Sequence, residues 1–217
     1  IVKLNKNDYQ VNRFTKLFII FYLIYYLLIN IKLIKLKKLN FHKTKKSITI
    51  ISYFFNFNKR LAKDGKFVSN YWSELIKLIE NKEINSNWLH IYSANEGFSS
   101  VTEANFLLRK LNKKNINQFH FTQFSNLNFK KCIQIIKDSF KLHNLFLNIS
   151  NKNINISFNG SNTNYWPLFK SDFEKSFKYN YLVINMISFN FFEFLSSELN
   201  QQHKVIYLQE NQSWEMP

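Results

Sequence analysis

The sequence predicts an α/β fold built on a mainly parallel sheet, and three observations carry that prediction. Short β-branched and aromatic runs alternate with longer amphipathic ones from Ser47 to Gln209, polar Asn- and Gly-bearing stretches separate them, and every strand-to-strand spacing exceeds a dozen residues. The spacing decides the pairing, because a tight turn joins only antiparallel strands whereas parallel neighbours need a long crossover.

The elements follow in order. Leu17 to Ile29 (LFIIFYLIYYLLI) is a thirteen-residue apolar and tyrosine-rich run, preceded by Arg13 and Lys16 and followed by Asn30, Lys32 and Lys35. A bilayer core needs about twenty apolar residues. Extension to Leu36 reaches that length only by accepting Asn30, Lys32 and Lys35. The run is therefore expected to be an interfacial helix with its lysines towards the headgroups, a single span whose lysines snorkel, or a plain core helix. No small-residue cleavage site follows, which disfavours a signal peptide. Residues 1–46 are taken as this apolar helix with a basic linker, and 47–217 as the folded domain.

Ser47 to Phe55 (SITIISYFF) is predicted to be a buried strand, Asn56 to Asn70 a polar loop carrying Gly65, and Tyr71 to Asn81 an amphipathic helix with Leu75, Ile76, Leu78 and Ile79 on its apolar side. Asn87 to Ser93 (NWLHIYS) is a second strand. Ser99 or Ser100 with Glu103 forms a capping box opening a helix that runs to about Leu111. Gln118 to Gln123 is a third, weaker strand, Phe129 to Ile149 a long helix, and Ser150 to Asn164 an Asn-rich loop. Helix is expected again from Leu168 to Leu199, broken near Tyr179 to Tyr181, before a closing strand from Lys204 to Gln209. Helical crossovers between parallel strands build a Rossmann-like three-layer domain. Neither G-x-G-x-x-G nor G-x-x-x-x-G-K-[ST] occurs, which argues against a dinucleotide site or a P-loop.

Composition narrows the classes. Three Gly and two Pro in 217 residues, with abundant Lys, Asn, Ile and Phe, resemble the codon bias of an A/T-rich genome. The formal net charge of +16 is concentrated between Lys32 and Lys66, where eleven Lys or Arg face one acid, Asp64. Such a block is either a solvated basic loop or a surface attracted to anionic lipid headgroups. Arg13, Arg60 and Arg109 are the only arginines, so nucleic acid, which is read through bidentate Arg contacts, is not expected as a partner. Cys132 is alone, which excludes an intrachain disulfide, and within a helical pattern it reads as a packed thiol.

The five histidines lack metal-ligand spacing, so no metal is expected. His90, inside a strand, is either bonded to backbone or turned towards a ligand at the strand end. Trp72, Trp88 and Trp166 are read as packing residues. The segment after the last strand differs: Glu210, Asn211, Gln212, Trp214 and Glu215 place two carboxylates, two amides and an indole within six residues. Beyond the carboxyl end of a parallel strand, ligands bind in open α/β folds. Carboxylates and amides there suit sugar hydroxyls, with Trp214 offering an apolar face. Equally, Glu210 can cap a following helix and Glu215 occupy its first turn. The sequence stops two residues later, and a longer protein is expected.

These residues also carry a resemblance. VIYLQENQSWE resembles the E-N-Q-x-W-E signature of bacterial surface carbohydrate biosynthesis proteins from O-antigen and related loci. Gly65, Phe67, Ser69, Tyr71, Trp72 and Leu75 resemble that family's G-x-F-x-S-x-Y-W-x-x-L block, Asn87 to His90 its N-W-L-H strand, and Trp166, Pro167, Leu168 and Ser176 its W-P-L block. Lys178 and Tyr179 stand where that pattern has Gly. The family is similar to GT-B glycosyltransferases, and the strand followed by Glu-x-x-x-Trp resembles the Kdo transferases of lipopolysaccharide synthesis.

The resemblance implies the acceptor-side, N-terminal half of a GT-B-like protein at the cytoplasmic face of the bacterial inner membrane. A nucleotide sugar would be the donor, bound mainly by the other half, and a lipid-linked glycan the acceptor, with no further cofactor. Glu210 and Glu215 are the candidate catalytic residues, and Asn211, Gln212, Trp214, Gly65, Asn70 and His90 the candidate substrate contacts. The fragment alone is expected to be inactive. A basic organellar ribosomal or membrane scaffold protein, and a non-catalytic glycan-binding module, are the alternatives.

Overall fold

The computed structural model describes residues 6–34, 41–56, 58–92, 100–150, 154–157, 163–199 and 204–207. The fold is α/β. Four strands form one all-parallel sheet, and eight α-helices are present among the described residues. The strands are β1 (Ile48–Tyr53), β2 (Ser86–Ile91), β3 (Gln118–Thr122) and β4 (Lys204–Tyr207), in the spatial order β3-β2-β1-β4. The helices are α1 (Lys6–Ile29), α2 (Ile31–Ile34), α3 (Lys59–Lys63), α4 (Ser73–Asn81), α5 (Val101–Lys114), α6 (Phe129–Ser150), α7 (Trp166–Ser176) and α8 (Tyr179–Glu198), with one 3-10 turn at Phe54–Asn56.

Two compact units share the chain. One comprises residues 1–26 and 129–187, and the other residues 27–128 and 188–217. This division cuts across the boundary at 46/47 drawn from composition.

The second unit holds the whole sheet. β1, β2 and β3 are buried almost throughout, their polar residues Ser86, Asn87, His90, His120 and Thr122 included, as parallel strands covered on both faces are. Alternation sends Ile51, Leu89 and Phe121 to one face, where they form a cluster with Phe41 and with Phe191, Leu195 and Leu199 of the α8 end. The alternate residues, Ile50, Trp88, His90 and His120, point to the other face and are fully buried. β4 lies beside β1 as an exposed edge strand, with Ile48 opposite Lys204 and Ile51 opposite Tyr207.

Local signals explain the helix ends. Ser100 Oγ accepts from the Glu103 backbone N–H at 3.1 Å, so Ser100 is the residue that caps α5. The stretch 56–70, expected as loop, contains α3: Asn58 Oδ1 accepts from the Leu61 N–H at 3.1 Å and starts the helix. Gly65 stops it. At φ +76° Gly65 donates its N–H to Ala62 while Lys66 donates to Leu61, the paired bonds of a Schellman end. The helical region after residue 165 breaks at Phe177 and Lys178, two residues before the expected point.

In the first unit, α1 begins well before its apolar run, at Lys6. Phe18 stacks on Tyr179 at 5.4 Å, and Phe146 on Phe177 at 4.8 Å. Cys132 is half-buried, and burial pushes its thiol pKa up, as for a packed rather than a reactive cysteine. No helix among the described residues is long and apolar enough to cross a membrane.

Candidate functional site

The carboxyl end of β1 is where the sheet and its flanking segments converge. β1 runs into the turn Phe54–Asn56, and the chain returns alongside it: Val68 accepts from the Asn58 N–H at 2.8 Å, and Asn56 accepts from the Asn70 N–H at 2.6 Å. Ser69 Oγ then receives the backbone N–H groups of Tyr71 at 3.3 Å and Trp72 at 3.2 Å, which fixes the entry to α4. That turn aims the Trp72 indole N–H at Ser52 Oγ, 3.0 Å away near the strand end. Phe67 is buried against Trp88 and His120, each at 4.6 Å between ring centres. Within the block Gly65 to Leu75, Gly65 ends a helix, Phe67 packs on the sheet, Ser69 caps a turn and Trp72 braces β1.

The N-W-L-H strand is explained residue by residue in the same way. Asn87 Oδ1 accepts from the His42 N–H at 2.9 Å and its Nδ2 donates to the His42 carbonyl at 3.0 Å, tying the segment before β1 to β2. Trp88 is fully buried and donates to Ser86 Oγ at 3.0 Å. Leu89 fills the opposite face.

His90 pairs with His120, a residue that sequence reasoning passed over. Their rings stack at 5.3 Å with an interplanar angle of 11°, and His90 Nε2 lies 3.0 Å from His120 Nδ1. One nitrogen donates and the other accepts, so the geometry suits two neutral rings sharing one N–H. Burial pushes the His90 pKa down to about 3. Burial, and secondarily the neighbouring His90, hold His120 well below the usual histidine range. His120 Nε2 has no hydrogen-bond partner among the described residues. Phe54 and Phe67 both meet the His90 ring edge-on at 5.7 Å. This is a neutral aromatic stack inside the sheet layer, unable to carry charge at pH 7.

Of the sequence-predicted contacts, Gly65 and Asn70 lie in the segment between α3 and α4, with Asn70 exposed beside the β1 end. His90 is buried and turned to His120 instead of the surface. Glu210, Asn211, Gln212, Trp214 and Glu215 lie outside the described residues. The last residue of β4, Tyr207, stands opposite Ile51, and Glu210 follows three positions later in the chain.

Asn56 was also missed. It is buried at the end of β1, and its Nδ2 donor has no partner among the described residues. Buried amide donors normally find an acceptor, and Asn56 Nδ2 is one of several buried polar atoms without one among the described residues. A small open cleft of about 120 Å³ lies at the opposite edge, lined by Ile79, Glu80, Glu83, Ile84, Asn117 and Gln118, and the Gln118 amide donates to Glu80 across it at 3.1 Å. No group of three or more His, Cys, Asp or Glu side chains among the described residues is arranged to hold a metal ion. No family model, curated protein or solved structure matches the chain.

Proposed function

We propose that the chain is the acceptor-side part of a GT-B-like glycosyltransferase that assembles a cell-surface polysaccharide on a lipid carrier, at the cytoplasmic face of a bacterial inner membrane. The supporting observation is the strand order. In β3-β2-β1-β4 the connections β1 to β2 to β3 step one way, and the next strand returns to the far side of β1. That order is shared with the first four strands of doubly wound Rossmann-like sheets, whose ligands bind outside the carboxyl ends of the strands where the winding reverses. Here the reversal lies between β1 and β4, and β4 leads into the Glu-Asn-Gln-Ser-Trp-Glu segment.

In this reading one carboxylate, Glu210 before Glu215, takes the proton from the acceptor hydroxyl as it attacks the anomeric carbon. The departing nucleoside diphosphate needs hydrogen-bond donors, supplied mainly by the second half of the protein. Asn211, Gln212 and Asn70 offer amides to sugar hydroxyls, and Trp214 an apolar face.

The test is Glu210→Gln and Glu215→Gln in the full-length protein. Surface polysaccharide should fall at least tenfold for Glu210→Gln at unchanged expression. Unchanged polysaccharide in both variants refutes the reading. Glycan binding without sugar transfer by the native protein would make it a binding module.

A further inference from the structure

α1 carries an apolar face that stays about half exposed, although Phe18 on it stacks against Tyr179 of the same unit. Phe14, Leu17, Phe18, Phe21, Ile24 and Tyr25 are each between 48% and 64% exposed. At 100° per residue they fall within an arc of roughly 120°, while the buried Ile19 and Leu23 lie on the opposite side. Large residues left in water along one helical stripe mark a docking surface.

Three features of the stripe select its occupant. First, the uncharged run from Leu17 to Ile29 has thirteen residues, which at 1.5 Å each extends about 20 Å against the roughly 30 Å of a bilayer core. The helix is long enough to lie along a membrane surface and too short in its apolar part to cross it. Second, the run is rich in aromatic rings with polar tips: Tyr22, Tyr25 and Tyr26 cluster with ring centres 5.9 to 6.1 Å apart, a composition suited to the headgroup level. Third, charge is complementary to an anionic surface. Arg13 and Lys16 precede the run, Lys32 and Lys35 follow, and eleven basic residues stand between Lys32 and Lys66. A second copy of a chain with net charge +16 would repel this one, whereas anionic headgroups attract each nearby lysine by about 1 kcal/mol.

We propose that α1 is an in-plane anchor that beds its Phe14, Leu17, Phe18, Phe21, Ile24 and Tyr25 face into the headgroup boundary of an anionic bilayer. The inference deepens the membrane side of the function proposed above and needs no sugar transfer.

The experiment is sedimentation of the full chain with vesicles of phosphatidylcholine alone or mixed with phosphatidylglycerol, at low and high salt. The native chain should bind the mixed vesicles, bind neutral ones far less, and release at high salt. The triple variant Phe14→Ser, Phe21→Ser, Ile24→Ser, which changes exposed side chains only, should lose at least tenfold in partitioning with its circular dichroism intact. Ile116→Ser, at an exposed site in the other unit, should bind as the native chain does. Native-like binding by the triple variant overturns the proposal, as does absence of binding to mixed vesicles. A dimer in solution that the triple variant abolishes, without vesicle binding, would make the face a self-association surface instead. Vesicle binding intact while Glu210→Gln leaves polysaccharide unchanged would refute the enzyme reading alone.

Discussion

Acidification should loosen the sheet through its buried histidine pair. His90 and His120 are both fully enclosed and share one N–H across 3.0 Å. The folded pKa of His90 is depressed from 6.5 to about 3. Between those values the unfolded chain binds a proton that the folded chain refuses, so stability rises with pH across the window and falls as pH drops below 6.5. From a folded value of about 3, the loss on going from pH 7 to pH 5 is about 2 kcal/mol for this ring alone. His120, lowered in the same direction, adds to it. For a domain whose total stability is about 5–15 kcal/mol, such a loss is measurable. Urea unfolding at pH 7, 6 and 5 should therefore show a falling midpoint in the native chain. The double variant His90→Phe, His120→Phe keeps aromatic rings in the stack and removes both titrations, and its stability should fall by at least about 2 kcal/mol less over the same range. Equal pH dependence in the two proteins, or native ring resonances of His90 that titrate near 6.5 in nuclear magnetic resonance, would refute the reasoning.

Two further outcomes test the packing. Gly65→Ala should destabilise by about 1–2 kcal/mol, since φ +76° disfavours any side chain and a Cβ there would come within 2.5 Å of Lys114 Cδ. Adding Lys114→Ala should return only the steric part, as read from thermal midpoints. Phe121→Ala should cost about 3–5 kcal/mol in urea, because that ring is fully buried between Phe41 at 4.8 Å and Phe191 at 6.1 Å. A loss below 1 kcal/mol would mean that the cluster is not the core of the sheet unit.

Much of the element order was legible because its signals are local. SITIISYFF and NWLHIYS are apolar over the length of a buried strand, and Ser100 with Glu103 marks a helix start within four residues. The short helix α3 was not legible. Its start is the single Asn58 side chain, and its five residues, Lys59–Lys63, are too few to show a period. Glu210 and its neighbours stood out through their clustering directly after a strand, whereas His120 sits in the weakest strand signal and has no companion in its own segment. Asn56 likewise looks like an ordinary loop asparagine until burial removes water from its amide.

By itself, then, the sequence determined the alternation of strand and helix, the parallel pairing that long spacings demand, and the position of an acidic, amide-rich segment after the last strand. Tertiary structure alone decided that β4 lies beside β1, that His90 finds His120 thirty residues away, that Phe67 and Trp72 brace the β1 end, and which side of α1 stays in water. The reason is the range of the forces involved. Backbone periodicity and capping act over a few neighbouring residues, while strand order, ring pairing and exposure depend on which distant surfaces exclude water together.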